Sequence, residues 1–140
     1  MLLAQGQKLL LIGQISKESG IPIKTIRYYE ELGLINSSGR TEGKYRLFKP
    51  EEVTRLSFIK TLQKLGLSLQ EIAEVLKIYD DGNPPCDEIK QKLETQIAEI
   101  DRHVLELMTL RGKISGLLDR WTPPQADHEG EICPILHKNL

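Results

Sequence analysis

The proline-free stretch from Cys86 to Trp121 limits what this chain can fold into. Positions 93, 97, 100, 104, 107, 111, 114, 118 and 121 advance in steps of four and three. They carry Leu, Ile, Ile, Val, Leu, Arg, Ile, Leu and Trp. An apolar residue at nearly every such step is the pattern of a coiled-coil seam. At ~1.5 Å per residue the predicted helix is about 50 Å long. No other segment of the 140 residues matches it in length. A second copy is therefore the expected cover, packed antiparallel across a two-fold axis; the alternative is a helix folded back over the rest of the chain. Arg111 at a seam position either sets the register or lifts its charge to solvent.

Upstream, Ile12 to Ile35 reads as two short helices around a tight turn. Ile12, Ile15 and Ser19 share a face, and Gly20 is a natural stop because it accepts a positive φ. Pro22 is expected just inside the second helix, where its missing N–H costs nothing. That helix carries Ile23, Ile26, Tyr29 and Glu30 at three- and four-residue spacings and ends at Gly33. Two helices with a glycine turn are the sequence form of a helix-turn-helix. Lys24, Thr25, Arg27 and Tyr28 then face away from the apolar side, where phosphates and base edges of DNA are reached. A solvated helical hairpin is the plainer alternative.

Gly39 and Gly43 punctuate the next segment, and Tyr45-Arg46-Leu47-Phe48 alternates like a strand. A β-hairpin wing with Thr41–Lys44 at its tip is predicted, with Arg40, Lys44, Arg46 and Lys49 placed to meet phosphates. Leu9–Leu11 forms a short strand or packs on the first helix. Pro50 opens another helix, with Glu51 and Glu52 near its N-terminal dipole. The buried stripe of this helix is Val53, Leu56, Ile59, Leu62 and Leu65, and Gly66 ends it. Ser68 to Glu71 is a capping box for a helix whose apolar face is Leu69, Ile72, Val75, Leu76 and Tyr79. Asp80 to Pro85 breaks the chain and is the candidate domain boundary.

Charge supports this division. Residues 1–78 hold twelve Lys/Arg against eight Asp/Glu, while residues 79–140 hold seven against twelve, within a net charge of −1. A basic first half suits a polyanion. Apolar runs are too short for a signal peptide or a membrane span, and two cysteines make no disulfide framework. A cytoplasmic location is expected. No phosphate-binding or dinucleotide glycine pattern appears, and a mostly helical chain of this size leaves little room for a catalytic cleft, so an enzyme is not expected.

Taken in order, IGQISKESGIPIKTIRYYEELGLI, RTEGKYRLF and VTRLSFIKTLQKLGLSLQEIAEVL resemble the MerR family of bacterial transcription regulators. The resemblance implies a mainly α fold: a winged helix-turn-helix with a small β-hairpin wing, then a long antiparallel coiled-coil dimerisation helix. It divides the chain into a DNA-binding domain at 9–78, a linker at 79–85, the dimerisation helix at 86–121, and a metal-sensing loop with a short C-terminal helix at 122–140. It implies a homodimer on double-stranded promoter DNA that untwists and kinks the duplex when inducer binds, so that RNA polymerase engages. Carried over by position, Gln14, Lys24, Thr25, Arg27, Tyr28, Arg40, Lys44, Tyr45 and Arg46 contact DNA. One departure stands in the wing. The family's usual glycine before the wing tyrosine is Lys44 here, and Gly43 is expected to take the turn one position earlier.

Within the family, the chain is similar to the heavy-metal-responsive branch. Cys86 heads the dimer helix and Cys133 lies in the tail, so an antiparallel pair brings Cys86 of one subunit to Cys133 of the other. Thiolates select soft or borderline ions, here Zn, Cd, Pb or Hg acting as inducer. His128, five residues before Cys133, resembles the ligand loop of zinc-type sensors. Those sensors carry a further cysteine at the end of the dimer helix, where this chain has Trp121 or Thr-Pro-Pro. A tetrahedral ion would then need His128, a carboxylate (Asp127, Glu129 or Glu131) or water. The alternative signal is a thiol switch between Cys86 and Cys133.

Overall fold

A computed structural model describes residues 8–123 and 130–139. The chain forms two compact units, the first closing at Glu94 and the second starting at Thr95. In order the elements are β1 (Leu10–Leu11), α1 (Ile12–Ser19), α2 (Ile23–Glu31), β2 (Leu47–Phe48), α3 (Glu51–Lys64), α4 (Leu69–Asp80), α5 (Cys86–Asp119) and α6 (Pro134–Asn139). The mainly helical architecture with its small antiparallel pairing and long helix is the one expected.

Local signals act where the sequence places them. Gly20 caps α1 at φ +74°, its N–H reaching the Ser16 carbonyl at 2.9 Å. The Ser16 hydroxyl donates to Ile21 O, and Ile21 N donates to the buried Ser19 hydroxyl, so side chains close the turn between α1 and α2. Pro22 is the residue before α2 rather than its first turn, with an extended ψ of 146°. It still spares the helix an orphan donor. At α4 the capping box forms in both directions: Glu71 N donates to Ser68 Oγ at 3.1 Å, and Ser68 N to Glu71 Oε1 at 2.9 Å. Hydrogen bonding to the Ser68 backbone holds the Glu71 carboxyl below its ordinary value.

The first unit packs one core. Ile15, Ile26, Phe48, Leu56, Ile59 and Ile72 are fully buried, and Leu10, Val53, Ile89 and Leu93 pack against them in part. The first turns of α5 thus belong to this core. Lys92 ties them down further, its Nζ 2.7 Å from Glu74 of α4 and 3.3 Å from Glu88. Two residues assigned to apolar stripes do not enter the core: Leu65 is 48% and Tyr79 62% exposed. Leu65 is the cap residue just past α3, and Tyr79 lies on the last turn of α4.

The sheet is small. Leu10 pairs with Phe48 and Leu11 with Leu47, antiparallel. The wing is a hairpin whose limbs meet at an Arg40–Arg46 bridge, with Leu47 N donating to Gly39 O and Ser38 N to Leu47 O. At its tip Lys44 N donates to Thr41 O at 2.8 Å, and Thr41 N to Tyr45 O at 2.9 Å. The left-handed residue that closes this turn is Lys44, at φ +67°, whereas Gly43 has no positive φ. Gly43 therefore does not take over the special conformation, contrary to expectation. Its bare Cα serves another contact, because a Cβ there would lie 3.2 Å from the Tyr45 ring.

In the second unit α5 runs to Asp119, two residues short of the expected end at Trp121. Ile97, Ile100, Val104, Leu107, Ile114 and Leu118 on the predicted seam are 49% to 65% exposed. Leu105, Met108 and Leu110 are exposed as well, so the apolar stripe is wider than the seam alone. Arg102 pairs with Glu99 and Glu106 on the polar side. Among the described residues no helix is long and apolar enough to cross a membrane.

Candidate nucleic-acid interface and thiol positions

A groove of about 500 Å³ opens between the start of α1, α2 and the wing. Gln14, Arg27, Arg40, Lys44, Tyr45 and Arg46 line it, together with the first turn of α1. Six of the nine residues proposed for DNA contact are thus gathered by three separate elements. Lys24 and Tyr28 are exposed on α2 and Thr25 is half-buried; these three do not line the groove.

Each lining side chain has a local reason for its place. Gln14 Oε1 accepts from Leu11 N at 2.7 Å, which leaves its amide N–H groups for a ligand. Arg46 Nε sits 3.2 Å from Glu30 Oε1, so the wing is pinned to α2 by a half-exposed ion pair. Glu30 offsets part of the cationic charge, while Arg27, Arg40 and Lys44 add to it. Tyr45 is 70% exposed, with its ring packed close beside Gly43 at the tip. On α2, Tyr29 turns inward and its hydroxyl donates to Gln63 Oε1 of α3; burial raises its phenol pKa. Tyr28 beside it turns out, 50% exposed. The Tyr-Tyr pair thus splits into an anchor and a free ring, as expected from helical periodicity.

The sequence reading missed one group. Arg55 of α3 donates from Nε to Leu34 O at 2.5 Å and from both terminal nitrogens to Asp80, at 2.7 and 2.8 Å. Glu52, one turn earlier, accepts from Asn36 N at 3.0 Å, and burial raises its carboxyl pKa. Only the presence of a charged residue beside the Leu56 stripe hinted at this.

Both cysteines are free thiols. Cys86 is exposed as the first residue of α5, and Cys133 is half-buried immediately before α6. Glu131, two positions before Cys133, is 31% exposed and lies 4.0 Å from His137 Nε2. His128, Asp127 and Glu129 lie outside the described residues. Among the described residues no three His, Cys, Asp or Glu side chains converge on one point.

A helix-turn-helix with a wing and a basic groove defines a DNA-binding protein of the winged type. Residues 10–78 match the MerR HTH family of regulatory proteins, and residues 53–117 match the MerR DNA-binding region. The chain is 35% identical to the HTH-type transcriptional regulator HmrR of Rhizobium leguminosarum, over 91% of this chain and 95% of that one. It is 34% identical to the mercuric resistance operon regulatory protein of Bacillus cereus, over 89% and 92%. Among solved structures it is similar to the transcription regulator PbrR691 of Ralstonia metallidurans in complex with lead(II). The TM-score is 0.73 and the identity 28%, covering 91% of this chain and 96% of that one. The chain belongs to the MerR family of helix-turn-helix transcriptional regulators. It is a regulator, not an enzyme.

Proposed function

We propose that the protein is a metal-responsive regulator that binds promoter DNA as a homodimer and activates by distorting it. The observation that carries this reading is the pair of free cysteines heading α5 and α6, in a chain whose relatives include a mercuric resistance regulator and a lead(II)-bound one. Residues 9–78 form the DNA-binding domain, with 79–85 linking it to the dimerisation helix at 86–121 and the sensing tail at 122–140. Gln14, Arg27, Arg40, Lys44, Tyr45 and Arg46 grip phosphates and sugar edges around the groove, while Lys24, Thr25 and Tyr28 face the bases.

Dimerisation follows from the uncovered seam. Burying the exposed half of each seam residue contributes on the order of 1 kcal/mol apiece. An antiparallel pairing of α5 sets Cys86 of one subunit beside Cys133 of the other. The donor types suit the group: two thiols, completed by His128, by a carboxylate such as Asp127, Glu129 or Glu131, or by water, would select a soft or borderline divalent ion over Mg(II) or Ca(II). When bound, such an ion supplies a bridge between subunits that biases the dimer toward one shape. The chain's own part is to pass that shape to the two DNA-binding units, whose spacing on the duplex sets its twist and kink for RNA polymerase.

Anaerobic titration of the reduced protein with Zn(II), Cd(II), Hg(II) and Pb(II), followed by thiolate-to-metal absorbance, tests this. Loss of the band in Cys86→Ser and in Cys133→Ser is expected, and His128→Ala reports whether that side chain is a ligand. Absence of any ion held more tightly than by free thiols rejects it. A thiol switch then leads, since both sulfurs are at least partly accessible and the family's third cysteine is missing. Free-thiol counts before and after peroxide would show it.

A further inference from the structure

Arg55 joins three parts of the first unit. Its Nε holds the carbonyl of Leu34, and its outer edge holds both oxygens of Asp80. Leu34 to Asn36 is the connector that leaves the end of α2 for the wing. Asp80 is the last residue of α4, after which the chain turns toward α5. Glu52 holds the amide of Asn36, so α3 grips the connector by one carbonyl and one N–H.

The geometry makes this a stiff link. A guanidinium paired edge-on with a carboxylate fixes angle as well as distance, because both groups are planar and both hydrogen bonds must hold together. The Arg55 side chain is only 14% exposed, which holds its Nε on Leu34 O away from water, while the Asp80 carboxylate at its outer edge is 51% exposed. The connector cannot slide freely, since Leu34 is 3% exposed and Ile35 fully buried. Side chains in a close-packed core move by switching arrangement, not by yielding continuously. Alongside, Phe58, Leu76, Tyr79 and Pro85 border an open apolar depression of about 420 Å³, which leaves the end of α4 room to shift. A shift there pulls on Leu34 through Arg55.

We infer that the Arg55–Asp80 pair is the positioning link through which the end of α4 sets the placement of the wing relative to α2, and so carries the inducer signal to the DNA-contacting groove. This rests on the metal-responsive reading above. Arg55 touches neither DNA nor inducer in this account; it acts through Leu34. An ordinary structural tie would instead weaken every state of the protein alike.

The test uses the full chain with Cd(II) and a duplex selected from a random pool by the wild-type protein, carrying a 2-aminopurine at its centre. Asp80→Asn, Arg55→Lys and Asp80→Glu are compared with wild type for Cd(II) uptake, for DNA affinity with and without Cd(II), and for the 2-aminopurine signal. Asp80→Asn and Arg55→Lys are expected to keep Cd(II) uptake and metal-free DNA binding. Their ratio of metal-loaded to metal-free response falls by about two- to thirty-fold, the span found for side chains in a coupling network. Asp80→Glu restores part of it. Variants that respond to Cd(II) as wild type does, or that lose affinity equally in both states with a lower melting temperature, overturn the inference alone. A wild type that binds the duplex with no dependence on metal overturns the functional reading and this inference with it.

Discussion

Replacing Lys44 by glycine is expected to stabilise the protein while weakening its hold on DNA. Lys44 closes the wing at φ +67°. An L-residue in that region gives up roughly 1–2 kcal/mol to the close approach of its Cβ and the following carbonyl. Glycine removes that strain, but its greater freedom in the unfolded chain returns about 0.5–1 kcal/mol. The net gain then lies between about zero and 1.5 kcal/mol. The turn's bonds are unaffected, because they run between the backbone of residues 41, 44 and 45 and from Tyr45 N to the Thr41 hydroxyl. Binding moves the other way. If Lys44 neutralises one phosphate per subunit, the slope of log affinity against log salt falls by about 0.9 for each. Urea unfolding at one fixed protein concentration measures the first effect, and anisotropy of a labelled duplex over a series of salt concentrations measures the second. A loss of stability would refute the strain argument. An unchanged salt slope would refute the phosphate contact.

Two further outcomes follow from the same geometry. Gly43→Ala puts a Cβ 3.2 Å from the Tyr45 ring and displaces it, so DNA affinity is expected to fall with little change in urea midpoint; a full loss of stability instead would mean that the ring holds the wing together. Glu71 titrates below its ordinary value because it caps α4. Its folded carboxyl is the stronger acid, so the stabilisation is complete above the ordinary carboxylate range and disappears as pH falls through the lower folded value. The stability difference between wild type and Glu71→Gln should therefore hold steady at neutral pH and narrow only in acid; a difference that stays constant into acid refutes the assignment.

Much of this architecture is written in short-range chemistry. Gly20 ends α1, Ser68 and Glu71 start α4, and the unbroken four-three spacing after Cys86 makes α5, because each depends on backbone groups within one or two turns. The basic and aromatic character of α2 and the wing is legible for the same reason: helix and strand periods decide which side chains point outward. The separation of Tyr29 from Tyr28 needed nothing more.

Other features belong to the packed chain alone. The pairing of Leu10–Leu11 with Leu47–Phe48 joins segments that no local rule connects. Leu65 and Tyr79 continue their apolar stripes in sequence, yet end exposed at the ends of α3 and α4. At the wing tip a lysine holds the left-handed turn and a glycine makes room for a ring, a choice made by where Tyr45 settles. Arg55 finds Leu34 and Asp80 across 21 and 25 residues of sequence. Residue type marks a charge as available, but its partner is whatever the core, once closed, brings within hydrogen-bonding distance. That selection is non-local, which is why it appears only in the folded unit.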